Sequence, residues 1–426
     1  MAIINPYAGV NWGSYQRILS VSHQHLSHSS EGLCKRTFTD IYATGVRHFA
    51  ISRYRPSIIT YPPVNDKFTY VANPFSETAD IDTLKSTYAV EIDLPQDALL
   101  SPNAEHINSY LYINNAWTKW TSLHINGIGS THESGTTPNT TYQSSDAGES
   151  YRELIDHIVS ELQYLDGGGI IINHCVWTEQ NLKKNYIYDV VRFLEDCLDY
   201  SQLVLGTDVI EDGSQKKTFT HTSHTTSEIT GEVPTTIEIW DEVLLTGRRC
   251  WGFAQPDWNH YLGRNELLVP SFTEQECLKA YRNGAFIGRY SNTNLSVLSI
   301  SFNNQVFAME TSNADKIDVV IDGVTTQYTG VQSISVNVPS NAVYVRAVAY
   351  KINTEYDSSA EMTQANSPYL DICYTQPIMI NPVAYSYNPA YDDYTPPTPG
   401  PEPDPEPDPE PEDRKRAWYR KDWLWG

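Results

Sequence analysis

The chain is short of basic residues, of methionine and of long apolar runs. Lys and Arg number 29 against 52 Asp and Glu in 426 residues, a formal charge of −23. That balance argues against a nucleic-acid duplex as partner, because phosphate contact needs clustered Lys and Arg. A small phosphorylated substrate is still allowed, since a bound divalent ion reverses the local sign. No run of about eighteen apolar residues occurs. Residues 1–7 show no basic segment followed by an apolar one. Neither a membrane span nor a secretory leader is expected, and the reading is cytoplasmic or carried on a phage particle. The six cysteines (Cys34, Cys175, Cys197, Cys250, Cys277 and Cys373) lack Cys-x-x-Cys spacing. They read as buried thiols, not as a disulfide framework or a zinc ribbon. A composition rich in Tyr, Asn, Thr and Ser and poor in Lys and Met leans the same way, toward a phage or extracellular-surface protein.

What is present falls into four blocks. Residues 1–290 alternate short apolar runs with helix-like stretches. The spacing predicts a helix over 151–165, with Tyr151, Leu154, Ile155, Ile158, Leu162 and Leu165 on one stripe. Gly167, Gly168 and Gly169 close it before a buried strand over 170–174. A second helix over 181–200 leads into a strand over 203–210. Repeated strand–helix–strand units predict an α/β fold with a parallel sheet or barrel, whose strand C-termini form the reactive rim. Residues 291–385 change texture: 297–301, 316–321, 333–338 and 344–350 alternate apolar with polar between turns, as a small antiparallel β-sandwich does. Residues 386–411 are a Pro-rich acidic linker, expected as an extended, disordered spacer. Residues 412–426 carry Trp418, Tyr419, Trp423 and Trp425 among Arg and Lys. Those residue types suit a peptide anchor on a protein partner, such as a virion component; the other reading is that the segment folds back on its own body.

The chemistry lies at strand ends. His23 and His25 close a strand-like run over 17–22, and side chains two apart on an extended backbone share a side. A lone His-x-His is more often a bare surface pair. Here Glu105, His124, His174, Asp257 and His260 follow downstream, and His124, His174 and Asp257 stand just after strand-like runs of their own. Imidazole suits borderline transition ions, and carboxylates neutralise and bridge them. His28, His48, His106 and His132 lack partners at ligand spacing and are expected to be structural. His221 and His224 sit in a Thr/Ser-rich stretch over 213–234, a lid or an insertion.

In this order the motifs resemble the PHP (polymerase and histidinol phosphatase) superfamily of metal-dependent phosphoesterases over residues 5–290. The carriers are His23-Gln24-His25 with Glu31-Gly32, the Gly45-to-Ser52 strand, Asn103-Ala104-Glu105 then His124, Gly168 to His174, and Asp257 with His260. The resemblance implies a distorted (β/α) barrel followed by the sandwich, and one to three Zn, Mn or Fe ions held by His23, His25, Glu31, Glu105, His124, His174, Asp257 and His260. It further implies hydrolysis of a phosphomonoester or phosphodiester by a metal-activated water. Two departures stand out. Ser52-Arg53-Tyr54 occupies the usual Asp-His slot, so a phenol replaces a ligand; Arg53 then either grips a substrate phosphate or ion-pairs with a carboxylate and fills a dead site. Asp257 and His260 are also spaced wider than usual. The competing reading is a virion scaffold that keeps the fold and works through its tail.

Overall fold

The computed structural model describes residues 2–27, 30–52, 61–71, 89–113, 116–132, 151–175, 190–210, 218–222, 228–232, 235–255, 257, 263–290, 295–356 and 368–384. All belong to one compact unit, 1–392. In chain order, β1 (Gln16–Val21) leads through α1 (Glu31–Ala43) to β2 (His48–Phe49). The pair β3 (Lys67–Val71) and β4 (Ala89–Asp93) precedes β5 (Leu99–Leu100), β6 (Glu105–Ile113) and β7 (Ala116–Ile128). Then come α2 (Tyr151–Ser160), β8 (Gly169–Asn173), α3 (Val190–Tyr200) and β9 (Val204–Ile210). A short pair, β10 (Thr218–Thr222) and β11 (Glu228–Glu232), is followed by α4 (Thr236–Leu245), β12 (Trp251–Ala254), β13 (Gly263–Val269), α5 (Glu274–Asn283) and β14 (Phe286–Tyr290). The remainder is all strand: β15 (Ser296–Asn303), β16 (Val306–Ser312), β17 (Lys316–Ile321), β18 (Val324–Thr329), β19 (Ser333–Asn337), β20 (Tyr344–Ile352), β21 (Tyr369–Thr375) and β22 (Ile378–Met379).

Each helix forms where an apolar stripe recurs at three and four residues. In α1, Cys34, Thr37, Phe38 and Ile41 are buried, and the Ser30 hydroxyl caps the start by accepting from Leu33 N. In α3 the stripe is Val190, Phe193, Leu194, Cys197 and Leu198. Thr235 and Glu238 cap α4 reciprocally. The helix expected over 151–165 ends at Ser160. Beyond it the backbone pairs with the end of β7 instead, through Thr131 N to Glu161 O at 3.1 Å and Gln163 N to Gly129 O at 2.8 Å. Leu165 is consequently exposed.

The fold is mixed α/β with strands dominating, and among the described residues the strands close no barrel. One sheet runs β12-β9-β8-β7-β6; the other runs β18-β17-β20-β21-β14-β13-β1-β2-β5. Among the described strands, only β8–β9, β9–β12, β1–β2 and β2–β5 pair in parallel. The expected parallel sheet or distorted barrel gives way because β6, β7 and β8 form an antiparallel meander and β13 runs against β1. Side chains bridge the seam between the sheets where ladders stop. Asn265 donates to Ala254 O and accepts from Ala254 N at 3.1 and 3.0 Å. Gln376 does the same at Gly252, 2.9 and 2.7 Å. At the rim the seam is tied by backbone, His25 N to Asp257 O at 3.0 Å and Asp257 N to His23 O at 3.1 Å.

The strands expected from alternation over 297–301, 316–321, 333–338 and 344–350 appear at those positions. A three-stranded sheet, β15-β16-β19, packs Val297, Ile300, Phe307, Met309 and Ile334 into one core with Ile317, Val319, Val345 and Ala347 of the large sheet. The large sheet itself continues past residue 290, since β14 pairs with β21. All six cysteines are buried, and none is in a disulfide. No helix among the described residues is long and apolar enough to cross a membrane.

Candidate metal centre

Six side chains from five separate stretches of chain meet at one end of the two sheets. His23 and His25 extend β1, Glu105 opens β6, His124 stands in β7, His174 follows β8 and Asp257 follows β12. Glu105 is the hub. Its Oε2 lies 2.7 Å from His25 Nε2, and its Oε1 lies 2.6 Å from His124 Nδ1, 3.1 Å from His174 Nε2 and 3.3 Å from His23 Nε2. Asp257 Oδ1 lies 3.4 Å from His23 Nε2 and 3.3 Å from His25 Nε2, and Oδ2 lies 3.9 Å from His174 Nε2. The backbone is strained where the rim is made: His174 has φ 57° and Asp257 φ 50°. Non-glycine residues held in the left-handed region cluster at functional sites.

The donor set fits a cation. The Nε2 atoms of His23 and His25 face one another at 3.2 Å. Two nitrogens each about 2.0–2.1 Å from one tetrahedral ion stand roughly 3.3 Å apart. Only one proton fits between them, and the same two atoms also approach Glu105 and Asp257. Two triads share His23: with Glu105 and His174, and with His25 and Asp257, each with its ligand atoms within 4.8 Å of one another. The His23 ring is set by Gln255, whose Oε1 lies 3.2 Å from Nδ1. Donation from Nδ1 to that oxygen leaves the Nε2 lone pair aimed at the centre.

Electrostatics agree with the geometry. Burial drives the Glu105 carboxyl upward, but the His23, His124 and His25 imidazoles outweigh it and hold Glu105 well below the usual carboxylate range. Burial lowers His25. For His23 burial also lowers the value, and the charges of Glu105 and Asp257 reverse it to a net rise.

Other expected site residues stand elsewhere. Glu31 lies on the exposed first turn of α1, ion-paired with Lys35 at 2.7 Å, and does not join the buried cluster. As the first helical residue after the Ser30 cap it is carried outward with the solvent face of α1. Arg53, Tyr54, His260, Trp418, Tyr419, Trp423 and Trp425, like His28 and His224, lie outside the described residues. His48 is structural: its ring nitrogens meet Ser20 Oγ at 2.7 Å and Ser101 Oγ at 2.8 Å, and burial lowers it to about 3. His106 points to the opposite sheet face from its neighbour Glu105 and stacks on His132, ring centroids 5.3 Å apart. Two residues were legible only after folding, Gln255 and Asp208. Asp208 is buried within β9 beside Thr207 and Cys175. The signal for Gln255 was a polar residue closing an apolar strand run, the pattern that marks His174.

No protein-family model matches the chain. No curated protein matches it either. Among solved structures it is similar to a two-domain protein from Bacteroides vulgatus ATCC 8482 containing a predicted PHP-like metal-dependent phosphoesterase, at 12% identity and TM-score 0.37, over 80% of this chain and 91% of that one.

Proposed function

We propose that the protein is a metal-dependent phosphoesterase hydrolysing a phosphomonoester or phosphodiester. The observation that carries this is the convergence of four imidazoles and two carboxylates, all but Asp257 nearly or fully buried, on one centre. His23, His25, Glu105, His124, His174 and Asp257 would hold one or more Zn, Mn or Fe ions, with His260 a further ligand. Such an ion supplies positive charge to a phosphoryl oxygen and lowers the pKa of a bound water toward neutrality. Within the chain, Glu105 orients three rings at once, Gln255 holds the His23 tautomer, and the Asp257 backbone ties β1 to β12 so that the ligands keep their spacing. Arg53 and Tyr54 follow Ser52, whose hydroxyl accepts from Asn103 and Asn126 beneath the centre. They are proposed to meet the substrate's phosphoryl group, Arg53 as a two-pronged donor.

Metal analysis of the purified protein, with phosphomonoester and phosphodiester assays in added Mn, tests the proposal. The expected result is bound metal and a Mn-dependent rate that His23→Ala and His174→Ala abolish. A metal-free, inactive protein whose two variants behave as the parent leaves a scaffold.

A further inference from the structure

A chain of buried amides runs beneath the centre, and its polarity is fixed from one end. Asn103, Asn126 and Asn173 are fully buried. The Asn103 amide faces two backbone carbonyls, Ser22 O and Ala50 O, each at 2.9 Å, so the group there is Nδ2. Its Oδ1 therefore faces Asn126, 3.2 Å away, and must receive Nδ2 from it; the same Nδ2 reaches Ser52 Oγ at 2.5 Å. Asn126 in turn offers Oδ1 to Asn173, which must answer with Nδ2. Every donor in the series points down into the protein. The series ends in an acceptor, Asn173 Oδ1, which is buried and meets no donor among the described residues.

A buried amide oxygen left without a partner is destabilising, because its lost hydration is not replaced. Such a group in a native fold calls for a water or an ion. Register places this oxygen. Asn173 pairs with His124 across β8 and β7, so the two side chains share a face, while Asn126 lies opposite Ile171, one step deeper. With Nδ2 turned down to Asn126, the other branch of the amide is turned toward the end where His124 and His174 stand. We propose that Asn173 Oδ1 is a further oxygen ligand of the divalent ion, an inference that rests on the metal reading above. A neutral carbonyl oxygen adds no charge and suits the harder ions of the set, so it favours Mn over Zn.

The test is titration of the full chain with Mn(II) and with Zn(II), read by calorimetry. Asn173→Leu is expected to weaken Mn binding about 10- to 100-fold, and Zn binding less. Asn173→Asp keeps an oxygen and, protonated, a donor for Asn126; it is expected to bind Mn at least as tightly as the parent. An Asn173→Leu chain with parental Mn affinity overturns the inference. If that variant does not fold, a tenfold loss of Mn binding in Asn173→Asp overturns it instead. A parent chain that binds neither ion overturns the metal reading itself, and a parent that binds while Asn173→Leu is unchanged overturns only the ligand assignment.

Discussion

Replacing Glu105 with Gln tests the centre most directly, because it removes one charge and almost no volume. The carboxylate is fully buried and lies 2.6–3.3 Å from four imidazole nitrogens. At an effective dielectric near 20, unit charges about 4 Å apart interact by about 4 kcal/mol, so a divalent ion at that range gains about 8 kcal/mol from Glu105. Two effects offset part of this: the amide keeps one oxygen as a ligand, and a neutral group is cheaper to bury than a carboxylate. A net loss of about 3–4 kcal/mol remains, which is two to three decades in Kd at roughly 1.4 kcal/mol per decade. Competition against a chelator of known affinity measures it, with circular dichroism confirming that Glu105→Gln is folded. A folded variant whose Zn and Mn affinities stay within about threefold of the parent refutes the hub role.

Two further predictions concern the body of the fold. Arg346 is buried and donates to both Asp241 oxygens, Nε to Oδ1 at 2.8 Å and Nη2 to Oδ2 at 2.6 Å, while Tyr344 OH also donates to Oδ1 at 2.7 Å. Asp241→Ala strands that guanidinium, and urea midpoints at unchanged slope are expected to show a loss of about 3–5 kcal/mol. His48 is neutral when folded because burial lowers it to about 3, whereas the unfolded chain protonates it below its ordinary value near 6.5. Acidification from 6.5 toward 3 therefore removes stability through this residue, since the unfolded state binds the extra proton. In denaturation series between pH 7 and 4, His48→Gln is expected to lose stability less steeply than the parent; parallel curves would contradict the assignment.

Much of the fold was legible because local patterns carry local structure. Phe193, Leu194, Cys197 and Leu198 repeat at helical spacing, and α3 buries that stripe. Alternation over 316–321 became β17 at those residues. The residue types of the cluster were legible too: His23, His25, His174 and Asp257 follow strand runs, whereas His124, expected just after one, lies within β7. Glu31 was misleading because a resemblance in order says nothing of direction: the Ser30 cap starts a helix there and turns the carboxylate to solvent. The length of the helix after Tyr151 depended on pairing with residues 129–131, which no local pattern reports.

By itself, then, the amino-acid sequence determined that the Val190–Tyr200 stripe is helical, that 316–321 is a strand, and which side chains offer nitrogen and oxygen near strand ends. Tertiary structure decided that the described strands close no barrel, that Asn265 and Gln376 bridge the seam between sheets, and that Glu105 becomes the hub. It also set the one-way run of amides from Asn103 to Asn173. The physical reason is that hydrogen-bond polarity and ligand distance belong to pairs of residues far apart in the chain. His23 and Asp257 acquire a spacing only when β1 and β12 are laid side by side.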